Sequence, residues 1–386
     1  MTGRMKLNGS WLAQVILVVS LAGGIGARAA EAPAAPDADR INTALEALNR
    51  LKGMDLDANP ALKTAVLKIL DQLRGKPQFI EVLRDFQIKD QEPALLDATL
   101  QNANTAAGLE GFHLLLEHGS TNLIQETING ANNVAAGKMI DLAGNSGTSQ
   151  AMPLLKGIVT DDHRDLTLRK QAVRALAKTE AGAGTLLMLA ADSKLAEELK
   201  MTAATELSTA RWPKLRDEAL KILPPPPGKN SEPLPPVAEL VKRSGDASNG
   251  AKVFRSDTVG CIKCHQVNGE GVDFAPRLSE IGTKLGKDAL YEAILEPSAG
   301  ISFGFEAWSI ELKNGDEAFG LVASETPEEL AIKAQTGIVT RYKKADIAKR
   351  QQSKTSIMPA GLQQTMTTQE LVDLVEYLTT LKKAAE

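Results

Sequence analysis

Only two cysteines, Cys261 and Cys264, occur in the 386 residues of this chain, and none of its four histidines follows His265. A structural zinc site takes four ligands. The region around these thiols supplies at most three, so zinc is excluded. No cysteine lies near residue 29, which excludes a lipid-anchored lipoprotein. No uninterrupted apolar run reaches the ~20 residues that a membrane-spanning helix needs. Basic residues are short as well, at 44 Lys and Arg against 48 Asp and Glu, without a basic block. An acidic chain of this kind matches neither nucleic acid nor an anionic membrane surface. Aromatic residues are few, at 4%. With 43% hydrophobic and 24% charged residues and a mean hydropathy of −0.14, the chain is neither collagenous, disordered nor polytopic. Its length suggests two or three domains.

The first residues have the form of a secretory leader. Arg4 and Lys6 precede an apolar run from Trp11 to Ile25, interrupted by Gln14 and Ser20, and Ala27-Arg28-Ala29 offers a small-residue cleavage site. Residues 1–29 are therefore expected to be a signal peptide rather than an uncleaved anchor, with the mature chain periplasmic or otherwise exported and without an integral span. Cleavage would remove Arg4, Lys6 and Arg28 and no acidic residue, leaving 41 basic against 48 acidic side chains. An oxidising compartment pairs exposed cysteines. Two thiols three residues apart in such a place are expected to be committed to something.

After a short lead, EAPAAPDAD, apolar residues recur at helical spacing. Leu62, Val66, Ile69 and Leu73 in PALKTAVLKILDQL follow i, i+4, i+7, i+11. Comparable helical segments are expected at 78–87, 93–104, 109–117, 134–143, 151–159, 166–178, 183–193, 196–209 and 214–222. RKQAVRALAKT and LKMTAATELSTA superpose Ala172, Ala175 and Leu176 on Ala203, Glu206 and Leu207 at an offset of 31 residues. Residues 30–222 thus suggest a HEAT-like or armadillo-like α-solenoid, with an irregular helical bundle as the alternative. His113, His118 and His163 are read as helix-surface or loop residues, not ligands.

Composition then shifts. LPPPPGKNSEPLPP holds seven of the 18 prolines and is expected to be a semi-rigid spacer, with the linker at 223–237. Beyond it, a module at 238–386 begins with a helix carrying Asn249, Gly250 and Phe254 and ends with a helix over TTQELVDLVEYLTTLKK. Between them, Trp308, Ile310 and Leu312 alternate before Asn314-Gly315, a tight-turn signal, and Phe319, Leu321 and Ala323 are expected to return beside them. EELAIKAQTGIVTRY reads as a second hairpin. A small antiparallel sheet at about 303–342 is thus inserted into an otherwise helical domain.

CIKCHQ, residues 261–266, carries the chemistry. A redox dithiol needs its CxxC to open a helix in a βαβ setting, where the attacking thiol is acidified. Here the preceding element reads as helix and VNGEGVDFAP reads as a glycine-rich loop. A c-type haem needs this order of residues for covalent reasons. The thiols of Cys261 and Cys264 become thioethers to the porphyrin, and the adjacent imidazole of His265 becomes an axial iron ligand. One covalently bound haem c per chain is therefore expected. Met358, followed by Pro359 in a loop where no apolar periodicity explains it, is the candidate sixth ligand. The alternatives are Met366 and an open site. Thr367 and Glu370 form a capping box, and Met366 before it can staple against Leu371, which gives Met366 a structural role.

The order GAKVF, CIKCH, APRLSEIG, AILEPSAGI, a short sheet turning at NGD, and SIMPAGL before TTQELVDLVEYL resembles the haem-binding cytochrome c domains of planctomycete and verrucomicrobial type. The resemblance covers roughly residues 240–383. It implies a class I cytochrome c-like helical core, in which Gly250 and Phe254 cross Leu374, Tyr377 and Leu378. It also implies that a backbone carbonyl near Pro276 orients His265, although Ala275-Pro276 stands where many such proteins have Gly-Pro. Arg277 reaches a haem propionate or is a surface residue. Such domains often follow helical repeats or dehydrogenase-like propellers. The expectation is a mainly α, exported monohaem cytochrome carrying single electrons from a periplasmic dehydrogenase partner, and not an enzyme in itself. The other readings are a haem-containing interaction scaffold and a redox or gas sensor.

Overall fold

The computed structural model describes residues 37–224, 228–229 and 233–383. The leader at 1–29 lies outside these residues, as does much of the proline-rich segment. The described chain separates into two compact units between Ile124 and Gln125.

The first unit is helical: α1 (Asp37–Asn49), α2 (Pro60–Gln72), α3 (Pro77–Asp85), α4 (Glu92–Gln101), α5 (Ala106–Glu117) and the start of α6 (Thr121–Asn129). Proline opens α2, α3 and α4, where its missing N–H costs nothing. Leu62, Val66, Ile69 and Leu73 are buried, as their spacing requires. At the start of α5, the Thr105 hydroxyl accepts the Gly108 N–H at 3.3 Å. A side chain on Gly108 would meet the Asn102 carbonyl oxygen at 2.1 Å. His118 lies in the turn that ends α5, a loop residue whose side chain is 8% exposed beside Glu92. Helix α6 is a further element that the periodicity did not reveal; two apolar residues, Ile124 and Ile128, are its buried anchors.

In the second unit come α7 (Asn133–Asn145), α8 (Met152–Thr160), α9 (Leu166–Leu176), α10 (Glu180–Ala191), α11 (Glu197–Ser208) and α12 (Pro213–Ile222). Helix α9 packs on α7, α8 and α11, burying Ala172, Ala175 and Leu176, while α11 buries Ala203 and Leu207. The α10 start repeats the α5 solution, with the Thr179 hydroxyl accepting the Gly182 N–H at 3.1 Å and Gly182 seated against the Leu176 carbonyl.

The rest of this unit holds α13 (Val237–Leu240), α14 (Ala247–Arg255), α15 (Ile281–Lys284), α16 (Lys287–Leu295), five strands and α17 (Thr368–Thr380). Strands β1 (Ala307–Leu312), β2 (Glu317–Glu325), β3 (Glu329–Lys333), β4 (Val339–Lys343) and β5 (Ile347–Gln352) form one antiparallel sheet in the order β4-β3-β2-β1-β5. Only Lys344–Asp346 separates β4 from β5 in sequence. The two edge strands are therefore joined by a single turn, so the sheet is strongly rolled. Its interior holds Ile310, Ala318, Leu330 and Ile332.

The register corrects one expectation. Leu312 N–H donates to the Asp316 carbonyl at 2.8 Å and Gly315 N–H to that of Leu312 at 2.9 Å, with Gly315 at φ +85°. The loop has three residues, not two, and one extra residue moves every later side chain to the opposite face. Ile310 pairs with Ala318 and Ser309 with Phe319, so Ala318 and Val322, not Phe319 and Leu321, share the face of Trp308 and Ile310. The β3–β4 hairpin closes identically, through Ala334, Ile338 and Gly337. Strand β5 extends the sheet beyond residue 342. Ser353 N–H donates to the Ala307 carbonyl at 2.8 Å, so the inserted chain enters and leaves the module side by side.

The sheet also meets the helices of its own unit. Glu317 N–H donates to the Gly147 carbonyl, and the Glu317 carboxylate accepts the Glu180 N–H and the Arg211 guanidinium. Arg211 lies between the Trp212 and Phe319 rings, 4.0 and 4.3 Å from their centroids. No helix among the described residues is long and apolar enough to cross a membrane.

Candidate functional site

Helices α14 and α17 cross to frame the site. Gly250 permits the crossing: a Cβ there would lie 1.9 Å from the Asp373 carbonyl oxygen. Phe254 and Tyr377 meet beside it with ring centroids 5.8 Å apart. Asp373 is buried, at 4% exposed, and its carboxylate accepts the Asp246 N–H, the Asn249 amide and the Gln369 amide, each at 2.8 Å. Burial pushes that carboxyl upward, but the three donors outweigh it and hold it below the usual range.

The chain leaves α14 through Gly260, at φ +71°, into a one-turn 3₁₀ helix over Cys261–Lys263. His265 and Cys264 N–H both donate to the Cys261 carbonyl, at 2.9 and 3.1 Å. The glycine-rich loop then folds back over this turn. Ala275 N–H donates to the Cys264 carbonyl at 2.8 Å, and Leu278 N–H to that of Gln266 at 2.9 Å. Gly271 fits because a side chain would strike the His265 carbonyl. Arg255 clamps the loop to α14 through both oxygens of Glu270.

His265 Nδ1 stands 2.7 Å from the Pro276 carbonyl oxygen. A carbonyl only accepts, so Nδ1 carries the proton and Nε2 keeps its lone pair, the tautomer a metal ligand needs. Burial lowers the imidazole pKa and the Pro276 carbonyl partly opposes this. Both cysteines are free thiols, each half-buried. Burial pushes Cys261 up to about 11. Cys264 is also raised by burial, against the Gln335 amide and Lys263. An attacking dithiol needs the opposite shift and a helix N-terminus; here the motif opens only a 3₁₀ turn.

Met358 is half-buried and packs on the same core as Cys261, Ile262, Leu278, Ile281 and Leu362. Its loop is held by the Met358 N–H donating to Ser356 Oγ at 3.2 Å and the Ser356 N–H to Ser298 Oγ at 3.1 Å. Met366, by contrast, is fully buried in that core. Thr367 after it caps α17, accepting the Glu370 N–H while Glu370 accepts the Thr367 N–H. Arg277 is two-thirds exposed and engages Asp273 at 3.0 Å, a surface ion pair. The sequence did not reveal Asp373, Glu270 or Gln335, whose amide donates to Cys264 Sγ at 3.3 Å. None of them has a spacing that announces its partner.

The residues present fit a covalent haem. Two free thiols precede a histidine whose Nδ1 is already committed to Pro276, and half-buried apolar side chains surround them. Gln363 Oε1, one residue from Leu362, is a buried acceptor without a partner among the described protein atoms.

No curated protein matches the chain. A family model described as Cytochrome c matches residues 247–308, from the start of α14 into β1. The match includes Cys261, Cys264, His265 and Pro276 and ends before Met358. The match supports a cytochrome c-type haem-binding module in this part of the chain, and with it covalently bound haem c and haem-based electron transfer.

Proposed function

We propose that the chain is an exported monohaem cytochrome of class I type, which passes single electrons between protein partners. The observation that carries this reading is the His265 Nδ1 to Pro276 carbonyl bond at 2.7 Å within the CIKCH turn. Cys261 and Cys264 tether the group, and His265 presents Nε2 to one face. Met358 would supply a thioether sulfur as the second ligand. Bound haem supplies an iron that accepts and releases one electron, and a thioether ligand opposite histidine favours its reduced form. With His265 and Met358 both holding the iron, oxygen and peroxide would find no ligand position, which would favour electron transfer over catalysis or gas sensing.

The helices of residues 37–222, in which the threonine-glycine start of α5 recurs at α10, support a HEAT-like array that docks a partner, for which a periplasmic dehydrogenase is the natural electron donor. The test is absorption spectroscopy of the full chain produced in an exporting host with haem-attachment machinery. A c-type pyridine haemochrome at one haem per chain is expected. A chain that matures without covalent haem overturns the reading.

A further inference from the structure

The inserted sheet has no part in the roles assigned so far, yet one of its turns lies against the haem-attachment residues. The β3–β4 hairpin closes with the three-residue loop Gln335, Thr336 and Gly337, fixed by Gly337 N–H donating to the Ala334 carbonyl and Ala334 N–H to that of Ile338, each at 2.8 Å. Gly337 is in the left-handed region at φ +82°. A Cβ there would lie 3.4 Å from Val272 Cγ1, in ordinary contact with the glycine-rich loop. On the strand side of the turn, Lys333 Nζ reaches Asp273 Oδ2 at 3.2 Å. At the turn itself, the Gln335 amide reaches Cys264 Sγ at 3.3 Å. Two contacts from this hairpin thus reach residues 264 and 273, on both sides of the chain reversal that follows His265, with Gly337 facing Val272 between them.

We propose that this loop braces the haem-attachment turn and that Gln335 is a positioning residue, donating a hydrogen bond to the sulfur of Cys264. The proposal rests on the reading of Cys264 as a haem tether. A free thiol both donates and accepts weakly, but a thioether only accepts. Once the tether has formed, the amide N–H is therefore the only side of Gln335 that can bond to it. A donor on that sulfur draws electron density from the attached ring and favours the reduced state, in the manner of other hydrogen bonds around redox centres. The ion pair from Lys333 to Asp273 is part-exposed and weak by itself; its contribution is to hold the loop in register.

The experiment compares the parent, Gln335→Met and Lys333→Met as full chains isolated from the exporting host. Haem content, midpoint potential and amide hydrogen exchange are measured on each. Gln335→Met keeps the side-chain length without a donor. It is expected to retain haem, to shift the midpoint potential downward, and to raise exchange several-fold at the Cys264 and His265 amides with α17 unchanged. Lys333→Met is expected to raise exchange in the same residues with a smaller shift in potential. An unchanged potential in haem-loaded Gln335→Met overturns the proposal while the cytochrome reading stands. A parent chain without covalent haem overturns the cytochrome reading instead; the brace then stands or falls on the exchange comparison alone.

Discussion

Gly250 and Asp373 touch backbone to backbone where α14 crosses α17, leaving no room for a methyl group: its carbon would sit 1.9 Å from the Asp373 carbonyl oxygen and 2.8 Å from Tyr377 Cβ. Gly250→Ala must separate the two helices. A loss of about 2 kcal/mol or more is expected from overpacking of this kind. Denaturant unfolding of the mature chain checks it, with Gly300→Ala, which meets nothing within 4 Å, as the near-neutral comparison.

Asp373 gives the module an acid dependence. Its folded pKa lies below the ordinary value of 3.8, so its contribution to stability is complete above that value and is lost as pH falls through the lower folded one. Asp373→Ala removes the shared acceptor of three part-buried donors and is expected to cost about 1–2 kcal/mol at pH 7. Unfolding midpoints compared at pH 7 and pH 3 should converge between parent and variant. A constant gap between the two would show that the carboxylate charge is immaterial.

The two methionines should separate cleanly. Met358→Ala is expected to abolish the far-red thioether-to-iron band and to lower the midpoint potential. Met366→Ala should keep the band and lose about 2–4 kcal/mol of stability, as deletions of a fully buried methionine do. The reverse pattern would exchange their roles.

Arg211 should matter to more than its ion pair. Burial lowers its guanidinium pKa to about 10 against the pull of Glu317, and it is stacked between two rings. Arg211→Ala removes both the stacking and the partner of a part-buried carboxylate. About 2 kcal/mol of destabilisation is expected, less than for a fully buried pair because each side chain is a fifth exposed. Limited proteolysis should then cut near Gly147 and Glu180 earlier than in the parent.

What could be read beforehand was whatever local spacing encodes. The CIKCH turn, the helices from α2 onward apart from α6 and α15, and both hairpins follow from periodicity, turn residues and covalent chemistry. The face assignment of β2 failed because Asn314-Gly315 marks a turn without counting its residues, and the extra residue inverted the pattern. Strand β5 was missed because IAKRQQ is a charged edge strand with little alternation. The polar ties at Asp373, Glu270, Arg211 and Gln335 join positions far apart in sequence, and no single segment carries their signal.

The bond from Ser353 to Ala307 has a topological consequence. Because the two ends of the sheet-bearing segment meet there, it hangs from the module by a narrow neck. Closing a loop costs little more as the loop grows once its ends are held together. The distance along the chain between His265 and Met358 therefore says almost nothing about their separation in space. The stretch from Ala307 to Ser353 is in effect a cassette, in which turns other than the one at Gln335 can change length while the haem-attachment residues keep their contacts.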